Sequence, residues 1–307
     1  MKRKNVFAII LALLAAVMYA ISVPFSKLLL DGITPAMLSA FLYLGAGLGT
    51  GALFLITYTK KEKASEPFFK KDIPYIIGMI VFDIIAPICF MYGLSKFGSS
   101  GTSLLNNFEI VATALIAMIL FKEVVSKKMW IAIILITISS FILSFEDIKT
   151  FKFNFGAILV LIATICWAFE NNCTNKLSNK NRYKVVMIDG LGAGIGCLIF
   201  ALITGENFPS FFLIALNILL GFVSYGLSIV IYIKSQSMIG ASKTSAYYSV
   251  NPFIASFLSF IFIPSEKLGL NYFIGLFFMI IGTVIVIIDT LKPTNKINNK
   301  KRISAKK

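Results

Sequence analysis

Ten long apolar segments separated by short polar links constrain the fold of this chain more than any other feature. They cover residues 6–30, 33–58, 74–95, 102–121, 129–145, 155–177, 185–204, 211–233, 245–263 and 270–288. Each has about the 17 to 25 residues that a helix needs to cross the hydrocarbon core of a membrane. Only 14% of the residues are charged, against about 25% in soluble proteins. The sequence therefore predicts an all-α integral membrane protein with ten transmembrane helices.

The distribution of positive charge predicts the orientation of these helices. Most of the 29 basic residues lie in alternate links and in the tail, residues 291–307. Five basic residues fall on the opposite side: Lys27, Lys96, Lys149, Lys152 and Lys267. Because cytoplasmic loops are enriched in Lys and Arg, we expect a multi-pass protein of the cell (inner) membrane with both termini in the cytoplasm. This placement explains the net charge of +15 without a nucleic-acid partner.

Several classes of chemistry lack their usual residues. The chain has no histidine, which excludes Ser-His-Asp catalysis and histidine-ligated haem. Its four cysteines all fall within apolar segments and lack the spacing of metal ligands. We therefore expect no metal, no cofactor and no enzymatic activity. Two alternative functions stay open. One is a membrane enzyme acting on lipid-linked substrates, and the other is a non-transporting sensor or assembly partner.

An internal repeat divides the chain into two halves. Leu44–Thr57 and Leu191–Thr204 are identical at eight of their fourteen positions, with an offset of 147 residues. A second correspondence, with an offset of 143 residues, pairs Glu123 with Glu266. We predict two five-helix repeats, residues 1–147 and 148–290, followed by the basic tail 291–307. An odd number of helices gives the second repeat the opposite orientation, as in many secondary transporters.

The glycines of the first correspondence lie inside apolar segments, with no preceding strand of a dinucleotide-binding motif. Gly45, Gly49, Gly192 and Gly196 are spaced four residues apart in pairs. Small residues at this spacing allow transmembrane helices to approach closely. We therefore expect them to lie at helix contacts.

The order of features in each half resembles the drug/metabolite transporter superfamily, specifically its EamA-type members. An early segment of each half ends in polar residues and a lysine (Lys27 and Lys176), and the fourth segment closes on a glutamate (Glu123 and Glu266). A turn of small residues follows the third segment, at 98–101 and 240–242. The resemblance covers nearly the whole chain. It implies a ten-helix transporter built from two inverted repeats.

One position departs from the pattern of that family. Its members usually carry a proline midway along the fourth helix of each half, which is present here as Pro252. The matching position in the first half is Glu109. An ionisable side chain near the middle of a membrane costs about 2.5 to 3.5 kcal/mol on insertion scales, so Glu109 is a candidate functional residue.

Polar side chains within the apolar segments supply the other candidates for a substrate site. The predicted substrate-binding residues are Asp83, Asn106, Glu109, Glu170, Asn171, Tyr225, Tyr248, Asn251 and Lys27. The residues Thr102, Asn106, Glu109 and Thr113 share one face of a continuous helix. Asp189 is interpreted as an interfacial residue at the start of the seventh segment. For each acidic residue, a purely structural interhelical hydrogen bond is the alternative.

Carboxyl groups outnumber basic groups among these candidates, because Lys27 alone could balance Asp83, Glu109 and Glu170. We therefore expect a small-molecule substrate that is amino-acid-like or cationic, carried by alternating access in the direction of export. Burial favours the neutral form of a carboxyl group, so Glu109 and Asp83 are also candidates for proton coupling. The residues leave the substrate's identity, the direction of transport, the coupling ion and the oligomeric state open. The expected partners are a small-molecule substrate, membrane lipid and protons, and no nucleic acid is expected.

Overall fold

The computed structural model describes residues 2–57, 66–121, 125–147, 152–177, 180–239, 244, 247–263 and 268–291. Its helices, in chain order, are α1 Lys2–Ala20, α2 Ser22–Leu29, α3 Pro35–Thr57, α4 Ile73–Phe97, α5 Ser99–Leu105, α6 Phe108–Phe121, α7 Lys127–Leu143, α8 Phe155–Lys176, α9 Arg182–Ile203, α10 Phe211–Gly221, α11 Ser228–Ile239, α12 Asn251–Phe262 and α13 Leu270–Leu291. A 3-10 turn, Lys70–Asp72, precedes α4, and a π-helical segment, Phe222–Leu227, joins α10 to α11. Two short strands, β1 Phe145–Asp147 and β2 Lys152–Phe153, pair antiparallel between α7 and α8.

The described part of the chain has the helices of a multi-pass membrane protein. Seven helical stretches are long and apolar enough to cross a membrane: 5–29, 35–56, 70–97, 155–174, 182–203, 211–235 and 270–291. The shorter α12 is also apolar. Helices α5 and α6 overlap the fourth predicted segment, and α7 overlaps the fifth. The all-helical membrane class is thus confirmed, whereas the ten-helix topology stays a prediction.

The fourth apolar segment is not the single helix expected from the sequence. It is broken at Asn106–Asn107, between α5 and α6. The backbone N–H of Asn107 donates to the carbonyl of Leu104 at 3.1 Å, and that of Glu109 donates to Asn106 at 3.1 Å. These are the i to i−3 bonds of a tight turn, and asparagine favours such departures from regular helix. The shared helical face predicted for Thr102 and Glu109 is therefore interrupted.

The second half is broken at the matching place. Ser249–Val250 form a turn before α12 begins at Asn251, and the offset of 143 residues relates Asn251 to Phe108, where α6 begins. The break also explains how Pro252 and Glu109 occupy matching positions. Both stand in the first turn of a helix, where proline needs no hydrogen-bonded N–H and a carboxylate faces the positive helix end.

Two other predicted helices are also irregular. The first segment is divided at Ile21 into α1 and α2, and the eighth contains the π-helical segment. π-helical turns insert an extra residue and often occur at functional sites. This one carries Tyr225, which was predicted to bind substrate.

Glycines allow α3 and α9 to pack with their backbones almost in contact. A Cβ atom at Gly190 would lie 2.5 Å from the backbone nitrogen of Gly47, and one at Gly194 would lie 2.7 Å from that of Leu44. The predicted contact glycine Gly45 faces the backbone of Ile218 in α10, where a Cβ atom would overlap the carbonyl oxygen. The expectation of close helix packing at these glycines is confirmed.

The most extensive helix contacts connect the first half of the chain with the second. Helix α3 packs on α9, α4 on α8, α7 on α13 and α1 on α11. The main hydrophobic core runs through both halves and includes the fully buried Leu38, Phe90 and Met279. The halves therefore form one interleaved bundle, and polar residues from both can meet inside it.

Candidate functional site

Glu109 and Asn171 form a polar contact between the two halves. The Asn171 side chain in α8 donates to Oε1 of Glu109 in α6 at 2.5 Å. Glu109 is half-buried and Asn171 is exposed, so the pair borders accessible space. Since charged groups within a membrane usually face a cavity or a polar partner, this pair marks a polar part of the bundle. The structure thus brings together two of the predicted site residues.

Five tyrosines form a set of neighbouring rings, which we name the tyrosine cluster. They are Tyr19 of α1, Tyr43 of α3, Tyr225 of the π-helical segment, Tyr232 of α11 and Tyr248 before α12. Ring centroids are 5.2 Å apart for Tyr19 and Tyr225, 5.8 Å for Tyr19 and Tyr248, 5.3 Å for Tyr43 and Tyr225, and 4.9 Å for Tyr232 and Tyr248. Glu109 acts electrostatically on Tyr19, Tyr225 and Tyr248. The cluster therefore joins elements of both halves, and Glu109 lies within electrostatic range of three of its members.

Asp83 belongs to a second acidic group on the other side of Tyr43. It is 5% exposed, its Oδ1 is buried without a hydrogen-bond partner, and its side chain lies close to those of Asp189 and Tyr43. Glu170, on α8, interacts electrostatically with Asp83 and accepts a hydrogen bond from Thr174. The Tyr43 hydroxyl in turn accepts a hydrogen bond from Nε1 of Trp167 at 3.2 Å. Tyr43 thus connects this acidic group with the tyrosine cluster.

The interpretation of Asp189 as an interfacial residue stays a prediction, but its helix begins earlier than the sequence suggested. Helix α9 begins at Arg182, earlier than the apolar segment suggested, because the Asn181 side chain caps it by accepting from the backbone N–H groups of Tyr183 and Lys184. Asp189 therefore lies two turns inside the helix and meets Asp83. The sequence signal that could have shown this depth was Asn181, a favourable N-cap residue a few positions before the apolar segment.

The predicted asparagines lie at the helix breaks. Asn106 is 6% exposed, and its Oδ1 has no hydrogen-bond partner in the structure. Both polar atoms of the neighbouring Asn107 are likewise unpaired and buried. In the second half, the Asn251 side chain donates to the carbonyl oxygen of Tyr248 at 3.2 Å. Buried polar atoms without partners are uncommon in folded proteins, so the break at Asn106–Asn107 has unused capacity to bind polar groups.

Lys27 makes contacts of a different kind. Its ammonium group donates to the backbone carbonyl oxygens of Leu94 at 3.0 Å and Ser95 at 3.1 Å, near the C-terminal end of α4. A cation at this end of a helix is stabilised by the helix dipole. The role of Lys27 as a substrate ligand or counter-charge stays a prediction.

Some features of the sequence fall outside the described residues. These are Glu123, Glu266, the turn at 240–242 and the tail from 292 to 307. Within the described residues, no group of three or more Cys, Asp or Glu side chains is arranged to hold a metal ion.

Comparison with known proteins identifies the chain's relatives. It is 26% identical over 269 residues to an uncharacterized transporter of Methanothermobacter thermautotrophicus, covering 80% of this chain and 76% of that protein. It is 23% identical over 263 residues to the uncharacterized transporter YyaM of Bacillus subtilis, covering 80% of each. A solved crystal structure covers 94% of this chain and 100% of its own with a TM-score of 0.66, at 11% identity, which shows a shared fold.

A family comparison covers nearly the whole chain. The description of the EamA-like transporter family matches twice, at residues 6–145 and again at 154–288. The resemblance seen in the sequence is therefore confirmed, and this chain belongs to the EamA-like transporter family.

Proposed function

We propose that this protein exports a small metabolite bearing an amino or other cationic group, and that it works by alternating access between two inverted five-helix halves. The main support for this proposal is the position of Glu109 near the tyrosine cluster, where helices of both halves come together. In secondary transporters built from inverted repeats, the substrate binds near the midplane between the repeats.

The chemistry of these side chains favours a cation. Ammonium groups bind the faces of aromatic rings with about 0.5 to 2 kcal/mol each, and most strongly where water is excluded. A carboxylate beside the rings adds charge attraction. Glu109 with Tyr19, Tyr225 and Tyr248 offers both kinds of contact. The amide of Asn171 and the unpaired Oδ1 of Asn106 can bind the uncharged polar groups of the same molecule.

The Asp83–Asp189 contact supports proton coupling. Two neighbouring carboxyl groups repel each other when both are ionised, so a proton bound by either one relieves that repulsion. Asp83 comes from α4 of the first half and Asp189 from α9 of the second. Movement of the halves would change the distance between them and with it the affinity for that proton. We propose Asp83 as a coupling residue, as the sequence predicted, with Asp189 as its partner.

Three observations support the inverted-repeat architecture. The family description matches twice, the breaks at Asn106–Asn107 and Ser249–Val250 are related by one offset, and α4 packs on α8 as α11 packs on α1. We propose cytoplasmic termini in the inner membrane on the basis of the lysine distribution.

A ligand screen tests the proposal. Purified protein should be stabilised against thermal unfolding by compounds with primary or quaternary ammonium groups, because a ligand that binds only the folded state at about 100 times its Kd adds about 2.7 kcal/mol. We expect Tyr225→Phe to keep the stabilisation and Tyr225→Leu to lose it, since only the first keeps a ring. Tyr75→Leu, which changes an exposed tyrosine near the start of α4, is the matched control.

Two results would contradict this assignment. Stabilisation by anionic or uncharged compounds alone would exclude a cation site. Equal stabilisation of the wild type and Tyr225→Leu would place the ligand away from the tyrosine cluster.

A further inference from the structure

Glu206 joins the two halves at one face of the bundle. It lies between α9 and α10, and its carboxylate accepts hydrogen bonds from the backbone N–H groups of Ala36 at 3.3 Å and Met37 at 2.9 Å in the first turn of α3. It also accepts a hydrogen bond from the Tyr92 hydroxyl of α4 at 2.6 Å. A residue of the second half thus binds two helices of the first.

The end of α9 is built to aim Glu206 at this target. Gly205 has a φ of 73°, and the N–H of Glu206 donates to the carbonyl of Ala201 at 2.9 Å, as in a Schellman motif. Thr34, which precedes α3, has an unpaired buried hydroxyl. The first turn of α3 therefore takes its side-chain cap from the opposite half of the chain.

Lys180 makes a corresponding connection at the other face. It lies between α8 and α9, and its ammonium group donates to the Pro67 carbonyl oxygen at 2.8 Å and pairs with Asp72 at 2.9 Å. It also lies 3.6 Å from the Glu66 carboxylate and 4.7 Å from the centre of the Phe69 ring. The Lys180 side chain is 3% exposed. Here too a residue of the second half binds a segment of the first.

The two contacts occupy matching places in the two halves. The offset of 147 residues relates Pro35, the first residue of α3, to Arg182, the first residue of α9. Glu206 therefore joins the link after α9 to the start of α3, whereas Lys180 joins the link before α9 to the segment that follows α3. One contact closes the face at the start of α3, and the other closes the face at the start of α9.

We infer that Glu206 and Lys180 are positioning residues for two alternating gates, the Glu206 latch and the Lys180 latch. This inference rests on the proposed alternating access. Both latches are closed in this structure, and the rings of the tyrosine cluster contact one another at 4.9 to 5.8 Å. A ligand reaches the space between the rings only when the halves separate at one face, and each latch holds one face shut.

Side-specific cysteine labelling tests the gates. The reporter is Ser22→Cys, in a background whose four native cysteines are alanine, because Ser22 is 2% exposed and donates to the carbonyl oxygen of Tyr19 in the tyrosine cluster. An impermeant thiol reagent is applied to either face of sealed vesicles. Labelling of Asn207→Cys, which is next to Glu206 in the sequence, shows which vesicle face carries Glu206.

Each latch variant should open one face. Glu206→Ala should raise labelling of the reporter about tenfold from the Glu206 face only, because it removes charge-assisted hydrogen bonds. Lys180→Met should raise labelling by a similar factor from the opposite face only. Asp31→Asn and Lys70→Met, which alter exposed charges at the same faces, should leave both rates unchanged.

Unchanged labelling in both latch variants, or an equal rise from both faces in each, would overturn the inference. If the alanine background fails to fold, the native-cysteine protein with the same variants is followed by hydrogen exchange of the Ser22, Val23 and Phe25 amides with and without the ammonium compound that stabilises the protein most. Ligand protection that persists unchanged in both variants would equally contradict gating. Labelling needs no substrate, so absence of transport would refute the proposed function without altering this result.

Discussion

Glu109→Gln is expected to reduce transport at least tenfold while leaving expression and thermal stability near those of the wild type. Glutamine keeps the shape of the side chain and can still accept the bond from Asn171, so the fold loses little. Binding of a cation loses a charge-assisted contact, which is worth about 1.5 to 3 kcal/mol. The measurement is initial flux into proteoliposomes, with Asp31→Asn, an exposed acid outside the bundle, as control.

A comparison of free energies favours a functional over a structural role for Glu109. Its place in the first turn of α6 gains about 0.3 to 1 kcal/mol from the helix dipole, which is less than the insertion cost of about 2.5 to 3.5 kcal/mol. The remaining cost indicates selection for function. Binding of the ligand by the wild type should weaken at acidic pH, where protonation removes the charge of Glu109, and the glutamine variant should lose that dependence. Wild-type flux with an unchanged pH profile in Glu109→Gln would show that Glu109 is only structural.

Gly190→Ala should markedly lower the thermal stability of the folded protein. The added Cβ atom would stand 2.5 Å from the nitrogen and 2.8 Å from the Cα of Gly47, which are backbone atoms that move only if α3 and α9 separate. Overpacking of this kind costs about 1 to 3 kcal/mol. The measurement is the melting temperature of purified protein in detergent.

Gly51→Ala is the matched control at the same helix pair. Its added Cβ atom would meet the flexible end of Met187 at 3.2 Å, which can move aside. Alanine is also the better helix former by about 1 kcal/mol, so this variant should melt at or above the wild-type temperature. Equal melting temperatures for the two variants would contradict the assignment of Gly47 and Gly190 to the closest crossing of α3 and α9.

The positions of the long helices could be predicted from the sequence because burial in lipid requires a continuous apolar run. Helix α3, for example, covers Pro35–Thr57 within the predicted segment 33–58. The breaks could not be located in this way. Asn106 and Asn107 interrupt their segment too briefly to lower its average hydropathy, and their turn is visible only as a change in backbone hydrogen bonding.

The sequence predicted the residues of the candidate site better than their spatial arrangement. Glu109 and Asn171 were each singled out as polar residues in an apolar run, but their contact depends on the packing of α6 against α8. Tyr43 and Tyr19 were missed because a tyrosine in an apolar segment is ordinary. Glu206 was missed for a different reason, since its partners include backbone N–H groups that leave no sequence pattern.

Counterflow in proteoliposomes measures whether this protein carries a cationic ligand across the membrane. Vesicles containing the purified protein are loaded with the ammonium compound that stabilises it most and are then diluted into a trace of the same compound carrying a radiolabel. We expect transient accumulation of label above that in protein-free vesicles, and we expect Glu109→Gln to abolish it. Stabilisation by the compound with no counterflow by the wild type would contradict this expectation, and would instead indicate a membrane sensor that binds its ligand without carrying it.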